Sequence, residues 1–184
     1  MSKKNKKKNT VAQAELDQTA QLVQNNDLDN AQKRLNKILK KSPNHETALH
    51  YQALVNFKKG EYDKAQKYLQ RSIINLPSRT KHNNLGNIYQ TAGDLESAEK
   101  HYNLALQYDR NNVEVLNNLG SLKRQQGYPD LAKETLEQSI YLNPHHVQAH
   151  FNLGNACFDL GEHERAREQY NKALQLFRES VSLK

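Results

Sequence analysis

The small residues of this chain recur at one interval of about 34 residues. All seven glycines belong to two such series, Gly60, Gly93, Gly127 and Gly161, and Gly86, Gly120 and Gly154. A series of alanines has the same spacing: Ala31, Ala65, Ala98, Ala132 and Ala166. Repetition at a fixed interval indicates stacked copies of one supersecondary unit, because each copy needs close helix contacts at the same places. The interval therefore predicts a repeat protein, and it favours a binding scaffold over an enzyme.

The composition agrees with an elongated repeat array. Hydrophobic residues make up 36% of the 184 residues and the mean hydropathy is −0.99, which is low for a compact globule. An array tolerates this composition, since each repeat buries apolar surface only against its neighbours. Five lysines within residues 3–8 supply most of the formal net charge of +7. The body is therefore nearly neutral and does not suggest a nucleic-acid-binding face.

Apolar residues with helical spacing divide the chain into pairs of helices. In residues 79–112, Leu85 and Tyr89 mark a first helix, and Tyr102 and Leu106 mark a second. Between the two helices, Gly93 suits a left-handed helix end and Asp94 suits the start of the next helix. Similar pairs are predicted at residues 12–45, 46–78, 113–146 and 147–180. Residues 1–10 are predicted to be a disordered lysine-rich tail in front of an array over 11–184.

The positions within these units resemble the tetratricopeptide repeat (TPR) family. The resemblance rests on Leu85-Gly86 with Tyr89, Ala98 and Tyr102, and on the matching set Leu153-Gly154, Ala166 and Tyr170. His82, Leu116 and His150 stand where the family usually has tryptophan, and Lys123 and Cys157 stand where it usually has tyrosine. The resemblance implies an all-α fold, a right-handed α-α superhelix (TPR solenoid) of about five repeats. It also implies that the first helices line a concave groove.

Asparagines recur at the positions of the first helices that are expected to face this groove. Asn84, Asn118 and Asn152 are separated by the repeat interval. Other predicted groove residues lie beside them or three residues further on: Asn83, Asn87, Asn117, Ser121 and Asn155. A carboxamide both donates and accepts, so a row of them can pair with the backbone of an extended peptide. The alternative is that these asparagines only keep the groove hydrated.

Apolar groove residues are candidate anchors for tighter binding. They are Tyr51, Leu54, Phe57, Phe151 and Phe158, and the alternative for each is packing between repeats. Some family members hold a C-terminal carboxylate with lysines and arginines. The matching positions here carry no cation, so that function is not expected. The second hypothesis is a recruiting arm of an enzyme of glycosyltransferase or sulfotransferase type, as the family resemblance allows.

No catalytic, cofactor or metal site is predicted. The sequence has neither a glycine-rich phosphate loop nor a nucleophile elbow. Cys157 stands at a packing position, and His146 and His150, although four residues apart, have no third metal ligand in register. The lone cysteine favours a reducing compartment, and with no apolar signal or membrane segment we expect a cytoplasmic protein.

The two ends of the chain suggest further partners. The lysines of residues 3–8 are interpreted as a solubilising arm, and the alternative is salt-sensitive attachment to RNA or anionic lipid. At the other end no separate polar capping helix follows Phe177. Three explanations remain open: self-association into a homo-oligomer through this edge, truncation of a longer protein, or a last helix that covers itself.

Overall fold

The computed structural model describes residues 3–182, apart from the side chains of residues 3–13 and of Asn75. Over this range the chain forms ten α-helices and no strand. The helices are α1 (Lys3–Gln24), α2 (Leu28–Lys41), α3 (Glu46–Lys58), α4 (Tyr62–Asn75), α5 (Arg79–Ala92), α6 (Leu95–Tyr108), α7 (Val113–Gln125), α8 (Pro129–Leu142), α9 (Val147–Asp159) and α10 (His163–Ser182). The predicted all-α fold is confirmed. None of the described helices is long and apolar enough to cross a membrane.

The turn chemistry expected from the sequence is present at the helix ends. Gly93 has a φ of 87°, in the left-handed region where glycine carries no Cβ penalty, and it follows directly after α5. Asp94 then caps α6, because its carboxylate accepts a hydrogen bond from the Ser97 amide at 3.0 Å. Pro129 begins α8, where its missing N–H leaves no intrahelical bond unmade.

The chain divides into two compact units, residues 1–92 and 93–184. In the first unit α1 packs against α2 and α3, α3 pairs with α4, and α4 contacts α5. Buried Leu16, Val23, Leu35 and Val55 form an apolar cluster in this unit, together with Ala31 and Ala48. The packing of these helices buries one apolar stripe of each helix, as the apolar spacing predicts.

The second unit repeats the same construction with α6 to α10. Helix α7 pairs with α8, α9 packs against both of them, and α10 pairs with α9. Leu136, Leu153, Ala156 and Cys157 are buried together with Ala132 and Ala166. The recurrent alanines of the sequence are among these residues, so the positions that define the interval also build the core.

The N-terminal segment differs from the prediction of a disordered tail over residues 1–10. Helix α1 begins at Lys3, while residues 1 and 2 lie outside the described range. Lysine is a good helix former, so a helix held further along by buried Leu16 and Val23 can extend back through these residues.

Candidate functional site

The predicted asparagine row lies on the first helices of successive hairpins. Asn84 is on α5, Asn118 on α7 and Asn152 on α9, and all three side chains are half-buried. In α3 the equivalent position is Tyr51, because the interval between these two repeats is 33 residues, as it is between Gly60 and Gly93. Each position therefore combines access to solvent with contact to neighbouring residues of the fold.

In the first unit the row is hydrogen-bonded from one helix to the next. The Nδ2 atom of Asn84 lies 2.9 Å from Nε2 of His50. Burial, followed by the nearby Lys81 charge, lowers the pKa of His50 to about 4. The imidazole is therefore neutral near pH 7, and its Nε2 can accept the hydrogen that Asn84 donates. The ring also stacks on Tyr51, with ring centroids 5.8 Å apart.

Lys81 forms the charged part of this neighbourhood. Its side chain is buried, and its ammonium group lies 2.5 Å from a carboxylate oxygen of Glu46 at the start of α3. It also donates to the Leu76 carbonyl at 2.7 Å, just beyond α4. One cation therefore connects three helices of the first unit. Its partners use the ammonium protons inside the fold, so Lys81 serves packing rather than ligand capture.

In the second unit four amide side chains form a continuous hydrogen-bonded series. Gln148 donates to the Asn152 oxygen at 3.2 Å, and Asn152 donates to the Asn117 oxygen at 3.0 Å. Asn117 in turn donates to the Asn118 oxygen at 3.4 Å. The series runs from α9 to α7, and each amide in it donates to the oxygen of the next. Both polar groups of Asn152 therefore have partners in the folded chain.

The position three residues after the row is occupied by Asn87, Ser121 and Asn155, which are half-buried. The Tyr170 hydroxyl on α10 donates to the Asn155 oxygen at 2.9 Å. This bond does not use the Asn155 Nδ2 group. Tyr170 approaches α9 so closely because residue 154 is glycine: a Cβ there would lie 2.6 Å from the tyrosine ring. Gly154 thus lets Tyr170 come close enough to hold the side chain of Asn155, one of the predicted groove residues.

Two predicted groove residues lie too deep to meet a ligand directly. Asn83 and Asn117 have exposed fractions of 4% and 5%. Each precedes a residue of the row by one position along the helix, which turns its side chain by about 100° into the packed side. Asn117 orients the neighbouring amides of Asn118 and Asn152 through its hydrogen bonds to them. Sequence reasoning missed His50 and Gln148 as members of the polar network, although the 33-residue interval back from Asn83 already pointed to His50.

The aromatic candidates fall into two groups. Phe151 is 47% exposed and packs against the ring of Tyr170 at a tilt, with ring centroids 5.7 Å apart. Phe158 is also exposed and lies beside His163. Tyr51, Leu54 and Phe57 are half-buried, and the first two pack against the core of the first unit. Of the five candidates, only the two phenylalanines of α9 present broad apolar surface to a partner.

The titratable candidates are engaged in the fold. Cys157 is fully buried in the core of the second unit, and burial raises the pKa of its thiol. His146 caps α9, since its Nδ1 accepts from the Ala149 amide at 3.1 Å. His150 lies within 3.0 Å of the Pro144 carbonyl and 2.8 Å of the Gln169 side-chain oxygen. Among the described residues no group of three or more His, Cys, Asp or Glu side chains is arranged to hold a metal ion.

Helical hairpins that recur at one interval, with a glycine turn between their helices, define a class of α-helical repeat proteins. Family models for the tetratricopeptide repeat match this chain over almost its whole length. A tetratricopeptide repeat-like domain matches residues 1–126, and a tetratricopeptide repeat matches residues 117–180. The chain belongs to the tetratricopeptide repeat family. The family fold is that of protein-interaction scaffolds.

Individual proteins show the same relationship. The chain is 31% identical over 98 residues to tetratricopeptide repeat protein 8 of Mus musculus, an alignment that covers 53% of this chain and 19% of that protein. Among solved structures, Pseudomonas aeruginosa PilF is 23% identical with a TM-score of 0.80, covering 89% of this chain and 75% of PilF. YrrB, described as a TPR protein with an unusual peptide-binding site, is 20% identical with a TM-score of 0.69, covering 88% of this chain and 84% of YrrB. The identities to both structures support the fold only.

Proposed function

We propose that this chain is a protein-interaction scaffold that binds an extended peptide along the asparagine row of its first helices. The observation that carries the proposal is the recurrence of a half-buried carboxamide at Asn84, Asn118 and Asn152, one per repeat. A half-buried amide is positioned by its neighbours and still reaches solvent, so it can exchange a hydrogen bond with a ligand. The peptide-binding site attributed to YrrB, which has a similar fold, is consistent with this use.

The chemistry of the row favours recognition of backbone rather than side chains. Carboxamides match the alternating N–H and C=O groups of an extended chain, and they carry no charge that would select an ionic sequence. Each neutral hydrogen bond contributes about 0.5–1.5 kcal/mol net, and ordering a flexible peptide opposes it. We therefore expect weak, sequence-tolerant binding.

Apolar side chains of the ligand would add affinity at α9. Phe151 and Phe158 are exposed on this helix, and Asn155 lies between them in the sequence. An apolar ligand residue placed against Phe158 would bury surface at about 25 cal/mol per Å². The ligand that fits best is accordingly an extended, largely uncharged segment with an aliphatic or aromatic residue near its end.

The test is an array of unrelated peptides of about 12 residues, which reach about 40 Å in extended form. Hits are then remade with N-methylated backbone amides. Methylation removes N–H donors and leaves the side chains unchanged, so it should abolish binding if the row reads the backbone. Single side-chain replacements should have smaller effects. Equal loss for both kinds of change would contradict backbone recognition.

The matching variant combines Asn84→Ala, Asn118→Ala and Asn152→Ala. Its control combines alanine substitutions of three exposed asparagines outside the row: Asn103, Asn111 and Asn171. The row variant should lose peptide capture, the control should keep it, and both should keep their far-UV circular dichroism. Undiminished capture by the folded row variant would remove the row from the binding site.

A further inference from the structure

A largely apolar groove lies between α9 and α10 in the second unit. Its volume is about 620 Å³. Its lining contains no charged side chain: Val147, Gln148, Phe151, Asn155, Tyr170, Ala173, Leu174 and Phe177. Leu174 and Phe177 on α10 are about half exposed, at 47% and 55%. No helix among the described residues of this unit covers the groove, and contiguous apolar surface of this kind marks interaction sites.

The repeat interval identifies what this groove is built to hold. Helix α9 itself packs against α7 and α8. There, Asn117 of α7 meets Asn152, and Leu136 of α8 packs with Leu153 and Cys157. The residues one repeat interval after Asn117 and Leu136 are Phe151 and Tyr170, which line the open groove. The groove is therefore equivalent to the seat of α9, and it accepts an α-helix that runs antiparallel to α10.

Helix α10 also carries an uncovered stripe of its own. It is 20 residues long, whereas α8 has 14, and Val181 in the added part is exposed. Tyr170, Leu174, Phe177 and Val181 follow one another at intervals of four, three and four residues. This is the spacing of a seam between two packed helices. Ala173 and Leu176 are buried, so the exposed stripe is distinct from the side of α10 that packs within the unit.

We propose that a second copy of this chain occupies the groove, with the two α10 helices packed antiparallel about a two-fold axis. Such an axis makes α10 of the partner run antiparallel to α10, the direction that the groove requires. One contact then covers both the groove and the stripe. A two-fold axis also places like residues near one another, and the uncharged lining incurs no repulsion.

Open head-to-tail association, in which α1 of one copy would occupy the groove of the next copy, fits less well. The occupant of the groove must present an apolar face, but the exposed described residues of α1 include Glu15, Asp17, Gln18 and Gln21. Burying these polar groups against Phe151 and Phe177 would remove their hydrating water and would provide no hydrogen-bond partners in its place. The dimer is therefore closed.

Light scattering coupled to size exclusion tests the dimer on the full chain. At about 100 μM, a concentration that populates dimers with micromolar dissociation constants, the mass should be twice 21.2 kDa. Leu174→Asp combined with Phe177→Asp should reduce it to the monomer mass with unchanged circular dichroism. The control Tyr141→Asp alters an 85% exposed residue outside the groove and should stay dimeric. A wild-type monomer, or a dimer insensitive to the groove variant, would overturn the proposal.

Disulfide formation tests the direction of packing. The stripe is centred between Leu174 and Phe177, so antiparallel packing sets Val181 opposite Tyr170 of the partner subunit. Two copies of residue 181 are then about 16 Å apart along the axis, from about 1.5 Å per residue. Oxidised Val181→Cys should remain uncrosslinked, whereas a mixture of Leu174→Cys and Phe177→Cys should form a mixed disulfide. Buried Cys157 does not compete. Efficient crosslinking of Val181→Cys would show parallel packing and refute the two-fold arrangement.

Discussion

Because His50 is neutral and half-buried in the folded chain, we expect acid to destabilise the first unit. The loss should begin at pH values well above those at which carboxylates bind protons. Burial and the Lys81 charge lower the pKa of His50 from an ordinary value of 6.5 to about 4. The unfolded chain therefore binds a proton that the folded chain excludes, and stability falls as pH decreases through the window from 6.5 to 4. A single group with these two values would lose about 2 kcal/mol between pH 7 and pH 5.

The substitution that isolates this effect is His50→Asn. Asparagine stands at the equivalent positions 83 and 117, and its oxygen can accept from Asn84 as the Asn117 oxygen accepts from Asn152. The variant should therefore fold and should have a flatter dependence of stability on pH. Glu46 does not confuse the comparison at pH 5, because its hydrogen bond with Lys81 lowers the pKa of its carboxyl below 4.5.

The assay is urea denaturation of wild type and variant at pH 7 and pH 5, supplemented by amide hydrogen exchange in α3 and α5 to locate the change. The difference between the two pH values should be about 2 kcal/mol larger for wild type than for His50→Asn. His145→Asn, which changes an exposed histidine in the second unit, should behave like wild type. Identical pH dependence of wild type and His50→Asn would refute the assignment of a neutral His50.

Three other substitutions test the packing by urea denaturation. Gly120→Ala should destabilise the second unit by about 1–2 kcal/mol, since its Cβ would lie 2.5 Å from Cγ of fully buried Leu136 and the clash exceeds the gain in helix propensity. Asp94→Ala should cost about 1 kcal/mol, because the Ser97 amide loses its cap; no change would argue against the capping bond. Lys81→Met should cost about 1–3 kcal/mol by leaving a carboxylate and a carbonyl without their donor, and a stabilised variant would show that desolvation of the ammonium outweighs those bonds.

The helices and turns could be predicted from the sequence because local physics determines them. Gly93 terminates a helix by its backbone freedom, and Asp94 caps the next one through an amide three residues away. The tightly packed glycines were also recognisable, since only a missing Cβ admits Leu136 or Tyr170 so close to a helix backbone. Repetition strengthened each inference, as one interpretation had to hold at every copy.

The polar contacts of the candidate site could not be predicted in the same way. The bond between Asn84 and His50 joins residues of two different repeats, and it depends on the distance between two helices to within a few tenths of an ångström. The burial of Asn117 was missed for a related reason. A first helix of a repeat touches several neighbours, so its apolar stripe does not define which polar positions remain accessible.

The hydrogen bonds inside the row limit how tightly it can hold a ligand. A peptide that pairs with Asn152 must displace Gln148 or Asn117, so it exchanges hydrogen bonds and gains little net free energy there. The Asn84 oxygen is not used in the bond to His50, and a peptide can add a bond at this atom. Discrimination between ligands must then come from apolar contact with residues such as Phe158, because the amides accept any backbone. Under the proposed function, the row would therefore set the course and extended form of the ligand, and the exposed aromatic surface would decide which ligands stay bound.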